Sequence, residues 1–364
     1  MRRAPQVVCY WHNGRFLVHN YATGRRSPAN AVVVDLLDFC GRWRSSRAIS
    51  RRFRGYEQSG VTGLVRDLIT CSYLQRSDRE VGPRDQALAD WSQWNPAAGF
   101  FHWSTKDVQY PDGLDSAARA FARNGPRTRM PSAAKQYRGR ARVSLTKTAR
   151  RDAFSQTLVD RRTWRRFGSS PVDVNDLGAV LELTWGVQHR AVVPGRGEIF
   201  LKTSPSGGAR HPGEVYVLAL RVKGLERGLY HYGCDRHDLT RLARGATTNQ
   251  VDAYLPGQTW YKGAAALLLM TAVFPREQWR YRFPRAYRAV LIEAGHLCQT
   301  FCLVSTWLGL APFCSMAFAD SRIERDLGID GVAESVLYVG GIGMRPEVQE
   351  QPWMPAKAGN VACL

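Results

Sequence analysis

The sequence has no CxxC pair, no Cys/His ladder at zinc spacing, no Walker-type phosphate loop and no zinc-hydrolase motif. Zinc fingers, P-loop enzymes and zinc hydrolases are therefore excluded. Its eight cysteines, Cys9, Cys40, Cys71, Cys234, Cys298, Cys302, Cys314 and Cys363, read as reduced core thiols, and no metal site is expected. Cys298 and Cys302 share a helix face with apolar neighbours, and Cys363, next to last, stands in the wrong place for a prenylation signal. Apolar runs of membrane length are missing too. AAALLLMTAVF (264–274) is too short, and AVLIEAGHLCQTFCLVSTWLGL (289–310) is interrupted by Glu293, His296 and Gln299. Both read as buried core, with His296 a satisfied core histidine. The first residues, MRRAPQVVCYWHNGRF, lack the apolar centre of a signal peptide, so a cytoplasmic protein is expected. GGIGMR (340–345) follows a strand pattern but opens no helix and has no acidic partner, which sets a dinucleotide-binding turn aside.

Negative charge is scarce: 31 Asp and Glu stand against 51 Lys and Arg, a net charge of +20. Such a surface attracts phosphate whatever its fold. Nucleic acid, an acidic peptide and a compositional preference for arginine all stay open as explanations. Part of the excess lies in RNGPRTRMPSAAKQYRGRARVSLTKTARR (123–151), a stretch broken by Pro and Gly in the manner of a linker.

What is present suggests four segments. In residues 1–80, alternation around Asn13-Gly14 signals a hairpin, and PANAVVVDLLDFCGRW and VTGLVRDLITCSYL carry helical apolar spacing. Strands followed by short helices suggest a small winged-helix-like module, in which SSRAISRRFRG (45–55) would face a major groove if the ligand were DNA. Residues 81–150 read as a mostly irregular aromatic and basic connecting segment. Trp91, Trp94, Phe100, Phe101 and Trp103 are too many for a free linker and are expected to dock on the next domain. Residues 151–350 alternate helices and strands around one sheet, an α+β domain, and 351–364 form a C-terminal tail.

Two stretches of this domain carry chemistry. In DRRTWRRF (160–167), Arg161, Arg162, Thr163 and Arg165 supply the forked cations and hydroxyl that hold a phosphate monoester without a metal; a solvated charge run is the competing reading. In KTSPSGGARHPGEVYVL (202–218), Pro205, Ser206, Gly207 and Gly208 let a planar ligand approach the backbone, although alone they are only a turn. A third stretch, WRYRFPRAYR (279–288), interleaves arginines with aromatics before an apolar helix and by itself reads as a solvated basic turn.

In the order RRTWRRF, TSPSGGARHPGEVYVL, GLERGLYHY, WRYRFPRAYR, LIEAGHLCQTFCLVSTWLGLAPF and ESVLYVGGIG, residues 151–345 resemble the FMN-dependent nitroreductase superfamily. More narrowly they resemble its SagB-type branch, the azoline dehydrogenases of thiazole/oxazole-modified peptide pathways. FHWSTKDVQY resembles the lead-in of that branch, and the N-terminal module resembles the small peptide clamps that bind leader peptides. The resemblance implies a nitroreductase-like FMN domain, with Arg161, Arg162, Thr163 and Arg165 around the FMN phosphate and Pro205 to Gly208 along the isoalloxazine edge. Met316 and Ala317 match the place where the family presents a backbone N–H to flavin N5, and Arg345 is a further phosphate candidate. The catalytic Lys-Tyr pair of the branch becomes Arg280-Tyr281 here. Arginine stays protonated, so Tyr281 must carry the proton while Arg280 orients substrate or stabilises a phenolate.

The loop departs as well, with Arg210 and His211 where PSAGALYPLE is common, which makes His211 a candidate acid or base beside a structural reading. The implied function is oxidation of azoline rings or related bonds in a ribosomally made, modified peptide, by a homodimer working with other peptide-modifying enzymes. The alternatives are a flavin-dependent peptide or nitro reductase and a flavin-free basic peptide-binding scaffold.

Overall fold

The computed structural model describes residues 1–79, 82–108, 152–194 and 197–347, with isolated positions 116, 119 and 123. Apart from those positions, the basic stretch 123–151 and the tail with Cys363 lie outside the described residues.

Asn13 and Gly14 both take positive φ, 48° and 73°, the conformation whose twist suits a two-residue hairpin. They join β1 (Val7–His12) to β2 (Arg15–Asn20), and β3 (Arg25–Pro28) completes an antiparallel meander. Helices α1 (Ala31–Phe39), α2 (Ser46–Arg52) and α3 (Gln58–Thr70) follow. Asn30 and Ser45 cap the first two by accepting from the amides of Val33 and Ala48. Val18, Leu36, Leu37, Ile49, Phe53 and Leu68 close a small core between sheet and helices.

Residues 83–104 are not irregular. They form α4 (Pro83–Asp90), a 3₁₀ turn (Trp91–Trp94) and α5 (Asn95–Ser104). Their apolar content is concentrated in indoles that dock elsewhere, so no helical stripe shows in the sequence. Trp91 Nε1 donates to Val332 O and Trp94 Nε1 to Tyr281 O, each at 2.9 Å. Both rings join Phe274, Tyr287 and Val290 in a common core. Phe100 turns the other way, 5.5 Å from Tyr10 and 5.6 Å from His19, while Trp103 stacks on Tyr21 at 5.5 Å and meets Trp91 at 4.7 Å. The segment thus rivets the N-terminal module to the domain, with Phe101 the one expected anchor that stays exposed.

The remaining elements are α6 (Ala153–Asp160), α7 (Val174–Trp185), the hairpin β4 (Val187–Val193) and β5 (Gly197–Lys202), β6 (Gly213–Ala219), β7 (Gly228–Gly233), β8 (Asp238–Arg244), α8 (Thr248–Tyr254), β9 (Ala266–Val273), α9 (Phe274–Gln278), α10 (Ala286–Trp307), β10 (Leu310–Ser315), α11 (Asp320–Leu327) and β11 (Glu334–Met344). Six strands pair antiparallel in the order β8-β7-β6-β9-β11-β10. Strand β9 is covered on both faces, which is why it reads as a continuous apolar run. Ala266, Leu268 and Met270 meet α7 and α10, whereas Leu267 and Leu269 meet α8 and α11. Each such Leu contributes about 1.5–3 kcal/mol by burial. The glycines of GGIGMR admit rings: a Cβ at Gly340 would lie 2.8 Å from Phe301, and one at Gly343 2.6 Å from Phe167.

Among the described residues one helix, α10, is long and apolar enough to cross a bilayer. Here it lies against the sheet, with Leu297, Cys298, Phe301 and Cys302 buried and Ile292, His296 and Trp307 exposed. His296 is therefore not a core histidine.

Candidate active site

The loop between β5 and β6 is held in an unusual backbone. Gly208 takes φ 60°, and the non-glycines Ala209 and His211 take 55° and 44°, conformations that cost roughly 1–3 kcal/mol each unless the surroundings enforce them. The surroundings do so. The His211 amide donates to Ser206 Oγ at 2.8 Å, its ring Nε2 pairs with Phe200 O at 2.9 Å, and its carbonyl accepts from Arg276 at 2.9 Å. Burial, with Lys202 close by, pushes the His211 pKa down to about 4. The imidazole is thus neutral and donates to Phe200 O, which makes it a strut for the loop. A cavity of about 640 Å³ flanks it, lined by Phe200, Lys202, Arg210, Glu214, Arg276 and Trp279.

Beneath the loop lie two buried carboxyls that the sequence alone did not single out. Glu277 is 1% exposed, and neither carboxyl oxygen has a hydrogen-bond partner. A Cβ on Gly207 would stand 2.9 Å from its Oε1. Burial, reinforced by the charge of Glu293, raises its pKa to about 7 against the opposing pull of Arg210 and Arg280. Glu293 is also raised by burial, with Ser206 and the Gly213 amide partly offsetting the effect. A Cβ on Gly208 would stand 2.6 Å from the Tyr281 hydroxyl and 2.7 Å from Arg280 Nε, and the Arg280 guanidinium lies 5.2 Å from the centre of the Tyr281 ring. The structure therefore brings Ser206, Gly207, Gly208, Arg280 and Tyr281 together. The available signal for Glu277 was its spacing: the Tyr281 amide donates to Glu277 O at 2.9 Å, so the two are one helical turn apart.

The arginines form a second group. The Trp164 amide donates to Pro312 O at 2.9 Å, laying residues 161–166 along β10. Arg345, after β11, spans the Trp164 ring at 5.6 Å and donates to Leu310 O at 3.1 Å and Thr306 O at 2.8 Å. Arg161 is half-buried beside Cys302 and Cys314, and Arg165 lies by the Tyr261 hydroxyl. Thr163 is half-buried. Arg162 departs from the expected set, because it is exposed and folds back to donate to Val159 O at 2.6 Å and Arg161 O at 2.8 Å. Met316 and Ala317 follow the far end of β10. Met316 is exposed, and the Ala317 amide donates to Ser315 Oγ at 3.1 Å.

The two groups sit on different sides of α10. The loop meets it at Glu293 and Thr300, the latter through Ser204 at 2.8 Å, whereas the arginines meet it at Cys302 and Thr306. At 3.6 residues per turn these faces are about 120° to 180° apart.

The sequence pattern of the Nitroreductase family matches residues 158–344, which contain the loop, the two carboxyls and the arginine stretch, and ends one residue before Arg345. The putative nitroreductase MJ1384 of Methanocaldococcus jannaschii is 33% identical over 187 residues, 51% of this chain and 90% of that protein. The trifolitoxin-processing protein TfxB of Rhizobium leguminosarum bv. trifolii is 33% identical over 146 residues, which is 39% of this chain and 39% of that protein. Among solved structures, the E. coli microcin synthetase McbBCD complex with truncated pro-MccB17 bound shares the fold at TM-score 0.52 and 19% identity, over 75% of this chain and all of the matched one. With half of its length matched by the family pattern and a helix-covered sheet holding the matched motifs, this chain belongs to the nitroreductase family.

Proposed function

We propose that this protein is an FMN-dependent, SagB-type dehydrogenase that oxidises azoline rings, or closely related bonds, in a ribosomally made peptide. The observation that carries the reading is the packing of Tyr281, Arg280 and the unpartnered Glu277 against the PSGG loop of a nitroreductase-family domain. Similarity to a trifolitoxin-processing protein and to a microcin synthetase with truncated pro-MccB17 bound supports a peptide substrate.

The residues present fit FMN. Arg345 donates to the backbone carbonyls of Leu310 and Thr306, and Arg161 lies beside the Cys302 and Cys314 thiols, so neither charge is spent on a carboxylate in these contacts and both are available to a phosphate. Arg165 and Thr163 complete the donor set, and Gly207 and Gly208 keep side chains out of the loop that the flavin edge would meet. FMN, when bound, supplies the two-electron acceptor that takes a hydride equivalent from the ring. The chain's own residues manage the accompanying proton. Tyr281 takes it at the phenolic oxygen, Arg280 stabilises the phenolate beside its ring, and Glu277, with a pKa near neutrality, exchanges it onward. The ring thus loses one hydride and one proton and becomes an aromatic azole.

A homodimer completes the site in this reading. The loop and the arginines lie on different sides of α10, so a second copy is needed to bring one chain's loop to the other's arginines. Phe154, Val159, Ile292 and Trp307, all more than half exposed on α6 and α10, supply an apolar face for that contact. The N-terminal winged-helix-like module recruits the precursor peptide, and the reaction takes place in the cytoplasm. One observation favours a reductase as the second reading: Arg280 replaces the lysine of the dehydrogenase branch. The test is the visible spectrum of the purified protein with mass analysis of any released ligand, followed by anaerobic addition of an azoline peptide. Flavin bands that bleach support the dehydrogenase. A flavin that bleaches only with a nicotinamide donor supports the reductase, and a colourless protein that cannot be reconstituted with FMN overturns both.

A further inference from the structure

We propose that Cys298, Cys302 and Cys314 form a trithiolate site for a soft metal ion, Cu(I) being the ion that the donor set suits. Cys298 and Cys302 are one turn apart on the sheet-facing side of α10, and Cys314 is the fifth residue of β10 packed against them. Their sulfur atoms all lie within 4.8 Å of one another. An ion bonded to three sulfurs at ~2.3 Å in a trigonal plane needs them ~4.0 Å apart, so small side-chain rotations close the site. Apolar packing alone explains two buried thiols and a half-buried one, but it does not explain what else points at them. The Tyr338 hydroxyl donates to Cys314 Sγ at 3.6 Å, and the half-buried Arg161 guanidinium lies beside Cys302 and Cys314. The neighbouring sulfurs and burial raise the Cys298 and Cys302 thiols, so a hydroxyl donor and a cation facing the group are what sulfur bound to an ion as thiolate would need there.

The donor count selects the ion. Among the described residues the group holds three thiols and no imidazole or carboxylate, which leaves zinc one ligand short of its tetrahedral preference, whereas a soft monovalent ion accepts three sulfurs. As each metal–sulfur bond forms, a thiol gives its proton to solvent, and no electrons are transferred. Cys314, the most accessible of the three, is the entry point. An ion held here would pin α10, which carries Glu293, to β10, which leads into Met316.

The test is anaerobic titration of the fully reduced protein with Cu(I) held by bicinchoninate. One Cu(I) per chain should leave the chelator, show metal–sulfur distances near ~2.3 Å by X-ray absorption, and raise the thermal unfolding midpoint. Cys314→Ser and the double variant Cys298→Ala/Cys302→Ala should each weaken binding at least 100-fold. Cys9→Ser/Cys71→Ser, which removes thiols elsewhere, should not. Near-UV circular dichroism verifies folding, and the half-buried Cys314→Ser decides the matter if the core double variant unfolds. Wild-type protein that leaves all copper with the chelator, or Cys314→Ser protein that binds as tightly as wild type, overturns the proposal and returns the three thiols to core packing.

Discussion

Glu277 should cost the folded chain stability as pH rises, and the size of that cost follows from its site. Its carboxyl is buried with no hydrogen-bond partner, and its pKa moves from the ordinary 4.5 to about 7. Below pH 4.5 the folded and unfolded chains are both protonated there, and the favourable contribution is fully present. As pH rises, the unfolded chain ionises first, so stability falls until the folded carboxyl also ionises above about 7. At about 1.36 kcal/mol per tenfold change in proton affinity, the loss totals about 3 kcal/mol, of which about 2.5 falls between pH 5 and pH 8. Glu277→Gln replaces the acid by a neutral isostere that cannot titrate. The assay is urea unfolding of both proteins at pH 5 and pH 8 at one ionic strength. Taking the difference between the proteins cancels the distant buried acids, Asp320 and Glu334, whose pKa values burial also raises, and leaves Glu277 together with its coupling to Glu293. The variant should gain about 2.5 kcal/mol on the wild type between the two pH values. A difference that stays the same at both would refute the placement of a titrating carboxyl beneath Gly207.

Arg161→Ala with Arg165→Ala should release FMN, because a bound phosphate loses charge-assisted bonds worth about 1.5–3 kcal/mol each; full flavin occupancy in dialysed double variant would reject the phosphate assignment. Tyr281→Phe should lower turnover roughly 100-fold while flavin content stays unchanged, the scale of a lost general base. Unchanged turnover would remove Tyr281 from the mechanism. Trp91→Ala should destabilise the chain by about 3–5 kcal/mol, since it empties a fully buried indole site and orphans Val332 O. A urea midpoint near wild type would show that the aromatic segment is not part of the folded core.

Much of the fold was legible because it is written in short-range pattern. Asn13-Gly14 specifies a hairpin turn, and the short apolar run 264–274 specifies buried core, which the structure makes β9. Residues 83–104 were misread because their indoles serve docking instead of forming a stripe. His296 was misread because a nearly continuous apolar run hides the helical period, which sets His296 outward with Ile292 and Gln299.

The site divides the same way. Residue types and their order are properties of the chain, so the PSGG loop, the arginine stretch and the Arg280-Tyr281 pair could be found without coordinates. Tertiary structure alone decided which of them act together. It turned Arg162 back onto the end of the preceding helix, made His211 a strut, separated the loop from the arginines across α10, and left Glu277 unpartnered under a glycine seventy residues away in sequence. Local pattern encodes which face a side chain presents. Its burial and charge depend on what distant segments bring to that face.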